Sequence, residues 1–206
     1  MISIGDKSRL ATLLWFILFG GVCLAADIQG KVAVQGIKSP ASIVVYIDAI
    51  PDRNFDPPAE HAVVHQKNMT FIPHVLGALK GTAVDFRNED PVNHGVSWPA
   101  ISGNRKLAHH LGFWPQGEMK SFTFTDLGVV PLLCYLHPEM SGYVIVVPTP
   151  YFAVTDNEGD FAIKDVPSGT YTLKTWSEEG EHLSQPVQVS DALTTINLAI
   201  RRAHSR

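Results

Sequence analysis

Three side chains that can bind a metal ion lie within seven residues of one another: Cys134, His137 and Met140. A thiol, an imidazole and a thioether thus occupy positions i, i+3 and i+6. One Cys and two His with a long, weak axial Met form the donor set of a blue-copper electron-transfer centre. This stretch provides three of those four donors, so such a centre requires one more histidine. The alternative interpretation is that Cys134 is a small buried hydrophobic residue with a His and a Met nearby by chance.

His94 is the candidate for the fourth donor. It ends a segment in which a predicted strand, residues 82–86, is followed by a turn rich in Asn, Asp and Pro. His94 precedes Cys134 by 40 residues, which leaves room for two or three strands and their connections. A β-sandwich can therefore bring the two loops together at one end. We call residues 134–140 the ligand loop. After it, the β-branched run of residues 144–147 predicts a strand that leads away from this loop.

Other chemistry finds less support in the sequence. There is no HExxH zinc-protease motif, no GxSxG nucleophile elbow and no phosphate-binding Gly-rich loop. A Cys134 nucleophile with His137 as its base is the enzyme alternative, but a ligand loop is an unusual place to build it, so we expect no enzyme. An accessory copper-loading site from His109, His110 and Met119 is a further alternative, although adjacent residues on an extended chain point to opposite faces. The remaining histidines have no partner at ligand spacing and are expected to be surface or structural residues: His61, His65, His74, His182 and His204.

Residues 1–26 have the pattern of a secretory signal peptide. Lys7 and Arg9 form a positive n-region, residues 10–19 an apolar h-region and residues 23–26 a small-residue cleavage region. The apolar run is shorter than the ~20 residues of a membrane span. We therefore predict a periplasmic protein with no stable membrane insertion after cleavage. An uncleaved anchor and a lipoprotein signal near Cys23 are the alternatives.

Charge and cysteine content narrow the possible functions. The 206-residue chain has a formal net charge of −4, and loss of Lys7, Arg9 and Asp6 with the signal peptide changes it to −5. Nothing in this balance indicates a nucleic-acid partner. Loss of Cys23 leaves Cys134 as the one remaining cysteine, which excludes an intramolecular disulfide, four-thiolate zinc or iron-sulfur sites and a copper pair bridged by two thiolates. A lone thiol in an oxidising compartment is expected to be buried, metal-bound or paired between chains.

The chain after residue 26 predicts short strands separated by Gly, Pro, Asn and Asp, with no sustained helical period. The pattern indicates an all-β fold built as an antiparallel sandwich. Residues 100–117 are interpreted as a long loop with room for one helical turn. The predicted strands up to residue 147 are 28–34, 42–47, 63–64, 69–72, 82–86, 95–98, 121–125, 132–135 and 143–147.

A second small β-unit of ~55 residues is predicted after Pro148, near the lower size limit for folding alone. Residues 155–159 have the composition of a hairpin connection, and residues 201–206 form a polar tail. The predicted strands of this unit are 151–154, 160–163, 170–176, 186–189 and 194–200.

Residues 61–147 resemble the cupredoxin family, with the short Cys-x-x-His-x-x-Met loop that is typical of amicyanin. The resemblance implies a Greek-key β-sandwich that binds one type 1 copper. It implies that His94, Cys134 and His137 are strong ligands and that Met140 is the axial ligand. The edge of His137 would lie in an apolar patch where a redox partner docks, with Phe113, Trp114 and Pro115 as candidate contributors or as ordinary loop packing. The resemblance is carried by Phe71, Ile72, Pro73, Gly81, Val84, Phe86, Asn88, Asp90, His94, Val96, Cys134, His137 and Met140.

Gly95 departs from the family pattern. Many cupredoxins have Asn directly after the first histidine ligand, where its side chain helps to tie the two ligand loops together. This chain has Gly95 at that position. The departure leaves open what holds the two loops in a fixed geometry.

The C-terminal unit resembles the carboxypeptidase regulatory-like domain, an Ig- or transthyretin-like β-sandwich without catalytic residues. The similar segments are residues 152–161 and 166–173. That family ordinarily begins with two further strands, and here the strands that fit lie ~100 residues upstream, within residues 27–50. We therefore predict that the cupredoxin is inserted into a sandwich made of residues 27–50 and 148–200. The alternative assigns the early strands to the cupredoxin and leaves two domains in tandem.

These features predict an exported type 1 copper protein whose copper cycles between Cu(I) and Cu(II). It would exchange single electrons with a protein partner that docks near His137. One alternative is a periplasmic copper-delivery or copper-storage protein that uses the same ligands. A second is a structural β-protein whose site is vestigial. The sequence does not indicate an oligomeric state.

Overall fold

The computed structural model describes residues 25–203. Most of the predicted signal peptide, residues 1–24, lies outside the described residues, as does the end of the tail, residues 204–206. The first strand already includes Ala25 and Ala26, and Ala26 is buried and paired with Val166. Within residues 25–203, no helix is long and apolar enough to cross a membrane.

The structure is all-β, as predicted, with one 3-10 turn at Arg105–Leu107 among the described residues. The strands in chain order are β1 (Ala25–Val34), β2 (Val44–Ile47), β3 (Ala62–Lys67), β4 (Thr70–Ile72), β5 (Val75–Leu79), β6 (Ala83–Asn88), β7 (His94–Trp98), β8 (His109–Trp114), β9 (Met119–Thr123), β10 (Gly128–Leu133), β11 (Ser141–Val147), β12 (Phe152–Val154), β13 (Asp160–Pro167), β14 (Gly169–Trp176), β15 (Ser184–Val189), β16 (Thr194–Thr195) and β17 (Leu198–Ile200).

Two sheets built from residues 62–147 form the first sandwich. One has the strand order β5-β11-β10-β7-β8 and the other has the order β4-β3-β6-β9. In β6, Val84 and Phe86 are fully buried while Arg87 is exposed, which is the alternation expected of a strand with one face in a core. The core between the sheets is rich in aromatic residues, and it also contains Cys134 and Met140.

A second sandwich combines strands from both ends of the chain. β1 pairs with β13 in antiparallel fashion and with β16 and β17 in parallel. β2 pairs with β12 and β14, and β14 pairs with β15. A separate core fills this sandwich, and Ile28, Ile47, Ile163 and Leu173 are among its fully or almost fully buried members. The strands of residues 25–47 thus hydrogen-bond with strands that follow residue 151.

The chain leaves the second sandwich and returns to it at neighbouring points. The backbone N–H of Ile47 donates to the carbonyl of Tyr151 at 2.9 Å. The hydroxyl of Thr149 donates to the carbonyl of Ile47 at 2.7 Å in a buried position. This is the chain path that an insertion requires. Independent folding of the two sandwiches stays a prediction.

A third apolar cluster joins the two sandwiches. Val75, Ile145 and Val147 of the first sandwich pack against Val44 and Trp176 of the second. β11 is therefore buried on both faces, because alternate residues face the first core and the interface. This explains why its residues 144–147 are an unbroken apolar run, since a strand covered on both sides needs no polar face.

A polar contact borders the interface between the sandwiches. Glu178 accepts a hydrogen bond from the hydroxyl of Tyr143 at 3.0 Å and lies 2.7 Å from Nε2 of His74. Burial, followed by the hydrogen bond and charge of Glu178, raises the pKa of Tyr143 to about 12. Tyr143 therefore stays protonated and remains a donor across the interface at neutral pH.

Three expectations from the sequence need correction. The first sandwich is not wholly antiparallel, because β11 pairs with β5 and β3 pairs with β6 in parallel. The predicted loop of residues 100–117 contains β8, whose residues pair with β7. The strand predicted for residues 132–135 ends at Leu133, so Cys134 lies at the start of the ligand loop. β5 had no counterpart among the predicted strands.

Candidate metal centre

His94 is the first residue of β7 and is delivered by the turn that follows β6. The side chain of Asn88 organises this turn. Its amide donates to the carbonyls of Val92 at 2.7 Å and Trp114 at 2.9 Å, and its oxygen accepts from the N–H of Asp90 at 2.9 Å. The side chain of His94 is completely buried. Asn88, which is itself buried, thus satisfies backbone groups of the turn that leads to His94 at the end of the sandwich.

The ligand loop closes on itself through backbone hydrogen bonds. The N–H of His137 donates to the carbonyl of Cys134 at 3.3 Å, and the N–H of Met140 donates to the carbonyl of His137 at 2.9 Å. The N–H of Cys134 donates in turn to the carbonyl of Met140 at 3.3 Å. These bonds hold the ends of the loop together, so its side chains converge at one end of the sandwich.

Three potential ligand atoms meet at this end. Nδ1 of His94 lies 3.0 Å from Nδ1 of His137, and Sγ of Cys134 lies 3.7 Å from the same His137 nitrogen. All three atoms lie within 4.8 Å of one another. Metal–nitrogen and metal–sulfur bonds of about 2.0 and 2.3 Å place neighbouring ligand atoms roughly 3–4 Å apart, so the two distances from Nδ1 of His137 have the size found around a metal ion.

The environment of these atoms suits a metal that must be shielded from water. Cys134 is 2% exposed and His94 is fully buried, whereas His137 is partly exposed. Met140 is 1% exposed and belongs to the same apolar cluster as Cys134. The thiol, two imidazoles and a neighbouring thioether are soft and borderline donors that suit copper. The donor set therefore fits the metal that the sequence indicates, and the ligand roles themselves stay predictions.

Asp90 is a residue of this site to which the sequence pattern assigns no role. One of its oxygens lies 2.9 Å from Nε2 of His94 and accepts the N–H of Met69 at 2.9 Å, and the other accepts the N–H of Asn68 at 2.7 Å. Burial alone would raise the pKa of Asp90, but the hydrogen bonds from Met69, His94 and Asn68 together lower it below its usual value. Its position four residues before a predicted ligand was the available signal, because metal-binding histidines commonly donate their second ring N–H to a carboxylate.

Gly95 is explained by the close approach of β8. A Cβ at this position would lie 2.5 Å from the ring of Phe113 and 2.6 Å from the carbonyl of Gly112. The carbonyl of Gly95 accepts a hydrogen bond from the side chain of Gln66 at 3.2 Å. The strands β7 and β10, next to the two candidate ligand segments, are tied by the hydroxyl of Ser97, which donates to the carbonyl of Leu133 at 3.2 Å.

Exposed apolar and aromatic side chains lie in the ligand loop directly before His137 and on β8. Tyr135 is 67% exposed, Leu136 is 47% exposed and Phe113 is 44% exposed. Of the two interpretations of Trp114, the structure shows ordinary packing, because its side chain is buried in the core of the first sandwich. The next residue in the chain, Pro115, is exposed.

The rings of His109 and His110 pack against different partners, as expected of adjacent residues on a strand, and an accessory site that includes Met119 stays untested. The ring of His109 packs on Trp98 and Phe122 at centroid distances of 5.3 and 4.9 Å. The ring of His110 instead stacks on Tyr135 of the ligand loop at 5.4 Å. In the described part of the chain, the one group of three or more His, Cys, Asp or Glu side chains with converging ligand atoms is His94, Cys134 and His137.

Comparison with protein families finds one match. Residues 149–198 match the family described as polysaccharide lyase family 4, domain II. This is a different family from the carboxypeptidase regulatory-like domain that the sequence pattern resembles, so that resemblance is not supported. The match covers the part of the second sandwich that follows the first. No curated protein matches the chain.

Solved structures similar to this chain include cupredoxins. An amicyanin variant in its reduced state is 24% identical with a TM-score of 0.39, covering 50% of this chain and 97% of that one. An oxidised amicyanin variant is 25% identical with the same TM-score and the same coverage. A purple cupredoxin from Nitrosopumilus maritimus is 22% identical with a TM-score of 0.37, covering 41% of this chain and 98% of that one.

Proposed function

We propose that this chain is an exported type 1 copper protein that transfers single electrons to or from a protein partner. The observation that supports it is the meeting of Cys134 Sγ with the Nδ1 atoms of His94 and His137, all within 4.8 Å. The burial of Met140 in the same cluster as Cys134 supplies a residue that suits the axial position. Export is supported by the signal-peptide pattern of residues 1–26.

Bound copper would supply one-electron chemistry by changing between Cu(I) and Cu(II). The residues of the chain contribute a donor set that suits both ions, because soft sulfur favours Cu(I) and imidazole accepts both. The loop hydrogen bonds and the packing of Cys134 and Met140 restrict movement of these side chains. A site that cannot rearrange needs little reorganisation when an electron arrives or leaves.

The partner surface that we propose surrounds His137. The side chains of His94, Cys134 and His137 are called the converging group here. The imidazole of His137 is its partly exposed member, whereas Cys134 and His94 are buried. Exposed Tyr135, Leu136 and Phe113 provide apolar area beside it. An apolar contact there would exclude water from the shortest route to the site, and aromatic residues are enriched in such interfaces.

Addition of Cu(II) to the purified chain tests this function. We expect an intense visible thiolate-to-copper charge-transfer band, which a weak reductant removes quickly and reversibly. Cys134→Ser should abolish the band because the thiolate is its source. His61→Ala is a matched control, since this histidine is paired with Asp85 outside the converging group and its removal should leave the band intact.

Other outcomes distinguish the alternatives. A colourless product with loosely held metal would overturn the blue-copper proposal and favour a structural β-protein. A coloured product that is reduced slowly and passes copper readily to a chelator would favour delivery or storage. Cell fractionation combined with N-terminal sequencing of the mature chain tests export.

A further inference from the structure

Three hydrogen-bond donors from two separate segments converge on the carboxylate of Asp90. Two are the backbone N–H groups of Asn68 and Met69, in the turn between β3 and β4. Both residues have a left-handed backbone, with φ values of 54° and 60°. The third partner is Nε2 of His94, at 2.9 Å. Asp90 is 8% exposed, so water cannot easily replace these partners.

This arrangement fixes the proton on His94. An ionised carboxylate can only accept hydrogen bonds, so Nε2 of His94 must be the donor. A neutral imidazole carries one ring proton, and Nδ1 is therefore left with a free lone pair. That lone pair faces Nδ1 of His137 at 3.0 Å, in the same group as Cys134. Asp90, which contacts Nε2, thus keeps Nδ1 on the other side of the ring free to bind a metal ion.

We propose that Asp90 is a positioning residue that fixes the tautomer and orientation of His94 and fastens it to the β3–β4 turn. The carboxylate accepts from backbone groups whose left-handed conformation defines that turn. Movement of His94 would therefore break contacts in a second segment of the sandwich. The proposal rests on the proposed function only where it concerns copper, because the tautomer is a property of the metal-free protein.

Asp90→Asn is the direct test. A carboxamide has one acceptor oxygen where the carboxylate has two, so it cannot satisfy all three donors. An amide nitrogen placed against His94 would favour the tautomer with its proton on Nδ1, which blocks the metal-facing lone pair. Long-range ¹H–¹⁵N NMR of the metal-free protein reports this directly. We expect Nε2–H in the wild type and a gain of Nδ1–H in the variant.

Copper binding gives a second measurement. Loss of a carboxylate partner of a ligating histidine typically lowers metal affinity about 10–100-fold, and we expect this for Asp90→Asn. The affinity for Cu(II) should fall more than the affinity for Cu(I). The reason is that a hydrogen bond to a carboxylate makes the imidazole a stronger donor, and Cu(II) gains more from a strong nitrogen donor than Cu(I) does. A tenfold difference between the two losses corresponds to a rise in potential of about 59 mV. Asp90→Glu restores the carboxylate and should recover the Nε2–H tautomer and most of the affinity.

Asp85→Asn is the matched control. Asp85 is also a carboxylate on the same sandwich, in β6, and it lies 2.9 Å from Nδ1 of His61 and accepts from the hydroxyl of Ser121. These two partners of Asp85 lie outside the converging group. This variant should leave the His94 tautomer, the copper affinity and the potential unchanged.

Either of two results would overturn the role of Asp90: a wild-type His94 protonated on Nδ1, or an Asp90→Asn variant that keeps Nε2–H and full affinity. If Asp90→Asn does not fold, the wild-type tautomer and the Asp90→Glu variant decide the matter. A wild type with Nε2–H but without a charge-transfer band would overturn the copper function alone. The NMR result therefore separates the two proposals.

Discussion

Met140 is a buried core residue for which the sequence predicts a second role, as the axial ligand of a metal ion. Its side chain is 1% exposed within the same apolar cluster as Cys134, so it contributes to packing whether or not it contacts a metal. Its backbone also closes the ligand loop through hydrogen bonds with Cys134 and His137. Substitutions that change volume and sulfur independently can distinguish the two roles.

Met140→Leu should preserve the fold and change the metal site. A swap of Met for Leu conserves volume and usually costs less than about 1.5 kcal/mol, whereas Met→Ala costs about 2–5 kcal/mol because it leaves a cavity. With Leu, we expect the charge-transfer band to persist and the potential to rise, since Cu(II) loses a donor that Cu(I) needs less. Denaturant unfolding and redox titration measure the two effects. A potential equal to that of the wild type would show that the thioether is only a core residue.

At the scale of elements, the site depends on contacts between strands that are distant in the sequence. β7 carries His94, and β10 leads to Cys134, and these strands pair at Ser97 and Leu133. β8 covers the other side of β7, and its Phe113 ring occupies the space that a side chain at position 95 would need. The positions of His94 and Cys134 thus depend on the pairing of β7 with β10 and on the close approach of β8 that Gly95 allows.

Gly95→Ala should destabilise this part of the sandwich. The new methyl group would meet the Phe113 ring and the Gly112 carbonyl, so β8 must shift, and overpacking of this kind costs about 1–3 kcal/mol. Chemical denaturation of the metal-free protein measures the loss. The double variant Gly95→Ala with Phe113→Ala should recover part of it relative to the sum of the single effects. A Gly95→Ala variant as stable as the wild type would contradict the close approach.

At the scale of the whole molecule, the two sandwiches pack against each other through an apolar interface to which β11 contributes. β11 faces the first core through Val144 and Val146, and it faces the interface through Ile145 and Val147. Trp176 of the second sandwich lies 4.9 Å from the ring of Tyr143, three residues after Met140. The second sandwich therefore supports the strand that follows the ligand loop.

Excision tests the predicted insertion. A chain in which residues 51–147 are replaced by a short Gly/Ser linker should fold, because residues 47 and 149–151 are already hydrogen-bonded neighbours. It should be less stable than the intact protein, since Val44 and Trp176 would lose their apolar cover. A separate fragment of residues 51–147 should fold and bind Cu(II). Failure of that fragment, with a fragment of residues 27–147 folding well, would contradict the insertion.

The sequence alone determined those features that depend on local pattern. Alternation of apolar and polar residues located most of the strands, and turn residues located their ends, because side chains alternate in direction along any strand. The types and spacing of Cys134, His137 and Met140 indicated a copper donor set before any geometry was known. Their binding of copper stays a prediction.

Features that depend on long-range contacts were decided only by the tertiary structure. The partners of β1 and β2 lie more than 100 residues away, and β8 is a strand because it pairs with β7 rather than because of its own pattern. Asp90 contacts His94 and the β3–β4 turn only once the sheets are assembled. Hydrogen-bond partners and close approaches depend on how distant segments come together in the folded chain, and a local sequence pattern does not determine which segments those are.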